Sequence, residues 1–280
     1  MAHPSSLIRT IGIFDSGVGG LSVLKAIRKK HPSINFIYIA DSGYAPYGSR
    51  SAEFIESRAS HIAHSLIDAG AEVIVIACNT ATAIAVAKLR ATLTVPIIAL
   101  EPAIKPAVAL TKTKVIGVLA TERTIESQTV ARLCAEFGHG VNILLQPCPG
   151  LVERVERGEL SSDGTYEYLR KLICPLLAQH ADTLVLGCTH YVFLKSAIQQ
   201  IAGPDVHIIE SSAAVARQTM RYLNINKANS LNEPTGHEVF MTTGSPEHAQ
   251  TLFSQLWGSP VKVLALDNPV APSHLIIDRY

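Results

Sequence analysis

The chain has 280 residues, 48% apolar, 17% charged and 6% aromatic, with 24 Lys and Arg against 23 Asp and Glu. That balance lacks the basic excess of nucleic-acid binders, and the longest apolar runs, such as Val73–Cys78, fall far short of the ~18 residues a membrane span needs. Five scattered cysteines without a CxxC fit reduced thiols, and Met1–Thr10 lacks a secretory pattern, so a cytoplasmic enzyme is the expectation.

In chain order, short β-branched runs predict strands at Ile11–Phe14, Ile34–Ala40, Glu72–Ala77, Val95–Leu100, Val115–Leu119, Val141–Gln146, Thr183–Leu186 and Val206–Ile209. Such continuous runs suit strands buried on both faces of a parallel sheet. Periodic stretches lie between them. In Ser51–Gly70 the apolar Ile55, Ala59, Ile62 and Leu66 share one helical face, and Gly70 is placed to stop the helix. Asn224–Gly236 reads as a polar loop, followed by a strand (Glu238–Thr242), a helix (Pro246–Trp257) and a last strand (Val261–Leu266). This alternation predicts an α/β fold with doubly wound parallel sheets.

A repeat lies within the pattern. Ala71–Thr80 aligns with Ala181–His190, placing Cys188 110 residues after Cys78, and Ile11–Ser16 aligns with Ile116–Thr121 at an offset of 105. Two matched strand-to-helix junctions in the same order predict two pseudo-symmetric domains with an active site in the cleft between them. The tail has no counterpart in the second half, so the expected division is 1–101 plus 211–280 against 102–210.

Ligands in open α/β sheets bind beyond the C-terminal strand ends. Those ends carry Asp15-Ser16-Gly17, Asp41-Ser42-Gly43, Cys78-Asn79-Thr80, Thr121-Glu122 and Cys188-Thr189-His190. Cys78 and Cys188 occupy matching places, each before a helix start that should lower a thiol's pKa and make it a usable base. Cys134, Cys148 and Cys174 read as small buried hydrophobes. Cys78, Cys188, His190 and Asp15 could instead assemble a zinc site, although tight ligand spacing is missing. Asp15 could equally be a helix cap. The Gly17–Gly20 loop resembles a dinucleotide loop, with Asp41 where a ribose-binding acid would lie, but Ser22 stands where a third glycine or an alanine is required. Its glycines are better read as letting backbone N–H groups approach a small anionic substrate. No lysine stands at a strand end, which argues against a pyridoxal Schiff base.

Taken together, Phe14-Asp-Ser-Gly-Val-Gly-Gly-Leu21, Pro46-Tyr-Gly48, Ala77-Cys-Asn-Thr-Ala81, Leu151-Val-Glu153 and Gly187-Cys-Thr-His-Tyr191 resemble the cofactor-independent aspartate/glutamate racemases, and the Cys-Thr-His ending resembles the glutamate branch. The resemblance runs from about Ile11 to about Tyr222. It implies Cys78 and Cys188 as the two acid/base residues, Cys78 acting on D-glutamate and Cys188 on L-glutamate. It further implies that Asp15 assists Cys78, and that His190 with Glu153 assists Cys188. Substrate is implied to be held by Asp15, Ser16, Tyr47, Gly48, Asn79, Thr80, Thr189 and His190, with Thr121 a further candidate. No metal or cofactor is implied, glutamate is the substrate, and the product D-glutamate serves peptidoglycan. Neither a homodimer nor activation by a cell-wall precursor is decided by the sequence. Aspartate racemases and related decarboxylases, a nicotinamide-dependent oxidoreductase and a non-catalytic two-lobed amino-acid-binding protein stand as alternatives.

Overall fold

The computed structural model describes residues 10–223 and 235–266. Strands β1 (Thr10–Asp15), β2 (Asn35–Ala40), β3 (Val73–Ile76) and β4 (Ile97–Ala99) alternate with helices α1 (Leu21–Arg28), α2 (Ala52–Asp68) and α3 (Asn79–Thr92). A second run follows: α4 (Ile104–Leu110), β5 (Val115–Ala120), α5 (Glu122–Ile125), α6 (Gln128–Phe137), β6 (Asn142–Pro147), α7 (Leu151–Glu156), α8 (Asp163–Ala178), β7 (Thr183–Leu186), α9 (Lys195–Ala202) and β8 (His207–Ile209). Helix α10 (Ser212–Leu223) then packs on α1, and β9 (Glu238–Thr242), α11 (Pro246–Trp257) and β10 (Val263–Ala265) complete the described chain.

All strand pairs are parallel, in two sheets ordered β10-β9-β2-β1-β3-β4 and β6-β5-β7-β8. The order β4-β3-β1-β2 in the first matches β8-β7-β5-β6 in the second. Register matches too. Ile11 faces Val73 and Ile116 faces Thr183, which preserves the sequence offsets of 105 and 110. Strands β9 and β10 extend the first sheet beyond β2 and have no counterpart in the second. The expected loop 224–236 lies, but for its last two residues, outside the described residues. The strand expected at Val95–Leu100 shortens to Ile97–Ala99, because Pro96 has no N–H to give a ladder; its carbonyl accepts from Ile74.

Alternation along the strands divides the core. Ile11 and Ile13 on β1, and Val73 and Val75 on β3, join a cluster that continues through Cys188 and Tyr191 to Leu184 of the second sheet. Phe14, Ile74 and Ile76 face the other way, under Ile55, Ala59, Ile62 and Leu66 of α2. The Ser51 hydroxyl caps α2 by accepting from the Phe54 N–H, and Gly70 ends the turn beyond it at φ +93°, a conformation glycine adopts without strain. One apolar core therefore runs from the first sheet to the second.

Candidate active site

Cys78 and Cys188 line a single narrow pocket between the sheets. Cys78 caps α3, its sulfur accepting from the Ala81 N–H at 3.4 Å and lying 3.7 Å from Ser16 Oγ. Ser16 in turn donates to Asp15 Oδ1 at 3.2 Å, so Asp15 reaches Cys78 through Ser16. Asp15 is wholly buried behind the pocket wall and binds across the cleft, accepting from the Thr189 hydroxyl at 2.7 Å. Burial raises its pKa; the charge of His190 and the Thr189 hydrogen bond oppose the rise. Cys188 precedes a 3-10 turn (Thr189–Leu194) rather than an α-helix, and its sulfur lies 3.9 Å from His190 Nδ1.

The remaining expected binding residues converge on the same pocket: Tyr47, Gly48, Asn79, Thr80, Thr121, Thr189 and His190 all line it, with Pro46 and Val152. Thr80 and Thr121, from opposite sides, meet hydroxyl to hydroxyl at 3.0 Å. Thr121 also caps α5. Asn79 Oδ1 is buried without a hydrogen-bond partner, a free acceptor at the pocket wall.

Four expectations are corrected. Glu153 does not reach His190. Glu156, one helical turn further along α7, places Oε1 2.6 Å from His190 Nε2, whereas Glu153 lines an adjoining pocket that shares Pro46, Gly48 and Thr121 with the one between the cysteines. The segment reads Val152-Glu-Arg-Val-Glu-Arg157, so the same triplet occurs twice and only packing chooses between the acids; the Arg157-Gly158 turn after the second was the available signal.

Two N–H groups of the Gly17–Gly20 loop are already taken within the protein. Gly17 N–H goes to Asp15 and Val18 N–H to Glu156 Oε1 at 2.8 Å. Side chains on Gly17 or Gly19 would collide with Glu156, Thr189 and His190, so these glycines permit close approach of the other half of the molecule and leave no surface for a pyrophosphate. Asp41 is likewise engaged internally, by Arg58, Tyr47 and Thr243.

The expected drop in thiol pKa is absent at Cys78, where burial, reinforced by the Asp15 charge, pushes it up to about 12. Of the thiols expected to be buried, Cys174 is exposed and Cys134 is half-buried, because each lies toward the outer side of its helix; Cys148 alone of the three is buried. Among the described residues, no three His, Cys, Asp or Glu side chains gather as a metal site would require. No helix among them is long and apolar enough to cross a membrane.

His190 carries the strongest electrostatic signal. Burial opposes its charge, but the contacts to Cys188 and Glu156 and the field of Asp15 outweigh this and hold its pKa well above the ordinary imidazole value. The site thus offers a buried thiol on one side, and a sulfur with an imidazolium partner on the other.

Residues 21–219 match the family model described as Asp/Glu/Hydantoin racemase. The chain is 49% identical to a glutamate racemase of Methylococcus capsulatus over 88% of this chain and 91% of the relative. A glutamate racemase isoform of Bacillus anthracis superposes with a TM-score of 0.83 at 32% identity, covering 94% of this chain and 98% of the other. Escherichia coli glutamate racemase in complex with L-glutamate and the activator UDP-MurNAc-Ala superposes at 0.81 with 29% identity, over 92% and 97% of the two chains.

Proposed function

Because the chain belongs to the Asp/Glu/hydantoin racemase family, we propose that it is an isomerase interconverting L- and D-glutamate by proton transfer between two cysteines. The observation that supports this reading is the placement of Cys78 and Cys188, from matching positions of the two repeats, in one pocket. The relatives act on glutamate, and the product D-glutamate is a peptidoglycan constituent. We place the division between the two units at 101/102 and 210/211. Activation by a cell-wall precursor remains a proposal carried by the Escherichia coli complex.

An amino acid's α-proton is weakly acidic, so a base acting alone is slow. The substrate's carboxylates need hydrogen-bond donors, and the N-terminus of α3 with the Thr80 hydroxyl supplies them, whereas the Thr189 proton is committed to Asp15. Asn79 Oδ1 is free to accept from the α-ammonium. One sulfur, as thiolate, takes the proton from one face of Cα while the opposite thiol delivers another to the other face, inverting the centre. Burial keeps Cys78 a thiol and therefore the acid, which fits Cys188 as base toward L-glutamate. His190, held as an imidazolium, can pass a proton to Cys188 or take one back.

Circular dichroism with L-glutamate, D-glutamate and both aspartates, with no cofactor added, tests the activity. Cys78→Ala and Cys188→Ala should each lose at least ~10²-fold in kcat, the lower worth of a general acid or base. Exchange on aspartate alone, or full activity in either folded variant, would defeat the reading.

A further inference from the structure

Asp41, just beyond β2, has a completely buried carboxylate that lines no part of the pocket. Four donors fill its two oxygens. Arg58 gives Nε to Oδ2 at 2.9 Å and Nη2 to Oδ1 at 2.7 Å, the Thr243 hydroxyl reaches Oδ1 at 2.8 Å, and the Tyr47 phenol donates to Oδ2. Burial, and then the Asp41 charge, hold the Tyr47 phenol far above its ordinary pKa, so its one proton stays committed to Asp41. The phenol is therefore an anchor for the segment 42–50 and has no proton to give a substrate.

That segment forms one wall of the pocket and spans both halves of the molecule. Gly48 sits so close to Thr121 that an added Cβ would lie 3.0 Å from the Thr121 Cβ, and the Arg50 carbonyl accepts from Arg123 Nε at 3.0 Å. Thr243 follows β9, one of the two strands without a counterpart in the second sheet. Besides donating to Asp41, its hydroxyl accepts from the Gly43 N–H at 3.1 Å. In the second sheet the register puts Cys148 at the position matching Asp41. Its N–H bonds the Ala120 carbonyl as that of Asp41 bonds the Asp15 carbonyl, but no carboxylate stands there. The anchor belongs to one half only, and the appended strand helps to build it.

We propose that Arg58 and Thr243 are positioning residues for substrate binding: through Asp41 they fix the Tyr47–Gly48 wall, and strand β9 was added where it completes that lock. The inference rests on the reading that this wall holds glutamate. It is tested on the full chain with Arg58→Lys, Thr243→Val and the double variant, measuring KM and kcat for L-glutamate alongside thermal melting. Lysine cannot reproduce the two-pronged contact of arginine. Each single variant should raise KM about five-fold, the worth of one hydrogen bond, with kcat within about two-fold. The double variant should fall short of the product of the singles, because both act on one carboxylate. Wild-type KM in both singles, a loss confined to kcat, or strictly multiplicative effects would overturn the proposal. If Arg58→Lys does not fold, Thr243→Val decides, since it leaves the Arg58–Asp41 pair intact. A wild-type protein without glutamate racemisation would defeat the functional reading; variants that behave as an active wild type would defeat only the positioning role.

Discussion

His190 is the residue on which most of the site's charge converges, and Glu156 is the partner that makes its imidazolium tolerable in a buried position. A histidine with a raised native pKa adds stability that is fully present below the unfolded value of ~6.5 and is lost as pH rises through the native value. Glu156→Gln should therefore move the alkaline limb of kcat for L-glutamate to lower pH and reduce kcat about 10²-fold, whereas Glu153→Gln should change kcat less than about three-fold. Equal losses in the two variants would restore Glu153 to the site. The thiols offer a second check. Cys174 is exposed, while Cys78 is buried and protonated up to about pH 12. Iodoacetamide on the substrate-free protein at neutral pH should label Cys174 well before Cys78, and the Cys78 rate should still be climbing above pH 9, as peptide mass spectrometry would show.

At the scale of elements, carboxylates hold the connections between strands. Asp182, at the entry to β7, accepts from the Thr111 hydroxyl at 2.6 Å, the Lys112 N–H at 2.7 Å and the Thr113 N–H at 2.9 Å. These bonds tie down the α4–β5 connection, where Lys114 takes φ +63°. Partial burial works to raise the Asp182 pKa, but the hydrogen bonds prevail and bring it to about 2. Its contribution is present above the unfolded value of ~3.9 and lost as pH falls through about 2. Asp182→Asn should lower stability by about 1 kcal/mol near pH 6, the usual worth of such a cap, with the difference closing toward pH 2 in denaturant titrations. A gap that persists at pH 2 would mean that packing, not charge, is lost. The glycine loop after β1 shows how an element is read wrongly. Its composition announced close approach, and close approach occurs, but to Glu156 and His190 of the other half.

For the whole molecule, the decisive feature is that the two sulfurs follow strands of different sheets and line one pocket, and the proposed mechanism puts them on opposite faces of Cα. A proton removed by one cannot readily be returned by the other within a turnover. In deuterated water, D-glutamate formed from L-glutamate should carry deuterium at Cα from the earliest times, while unconverted L-glutamate stays protiated. Mass spectrometry of both enantiomers at a few per cent conversion separates this from a single base serving both faces. Substantial protium in the early product would defeat the two-thiol mechanism even if glutamate is the substrate.

What the sequence determined by itself is local or periodic. Hydrophobic runs located the ten strands of the described residues, the spacing of Ile55, Ala59, Ile62 and Leu66 located the buried face of α2, and the offsets of 105 and 110 reappeared as matching register in the two sheets. The strand-end rule brought Ser16, Cys78, Cys188 and His190 to notice, because strand ends are where a parallel sheet leaves polar groups unpaired. Tertiary structure alone decided between Glu153 and Glu156, turned the glycine loop inward, anchored Asp41 on Thr243 and raised the Cys78 pKa by burial. Each of these depends on groups distant in the chain, as in the 138-residue separation of Val18 and Glu156. Residue patterns record a segment's own backbone and burial, whereas such contacts exist only once the two halves have closed on each other.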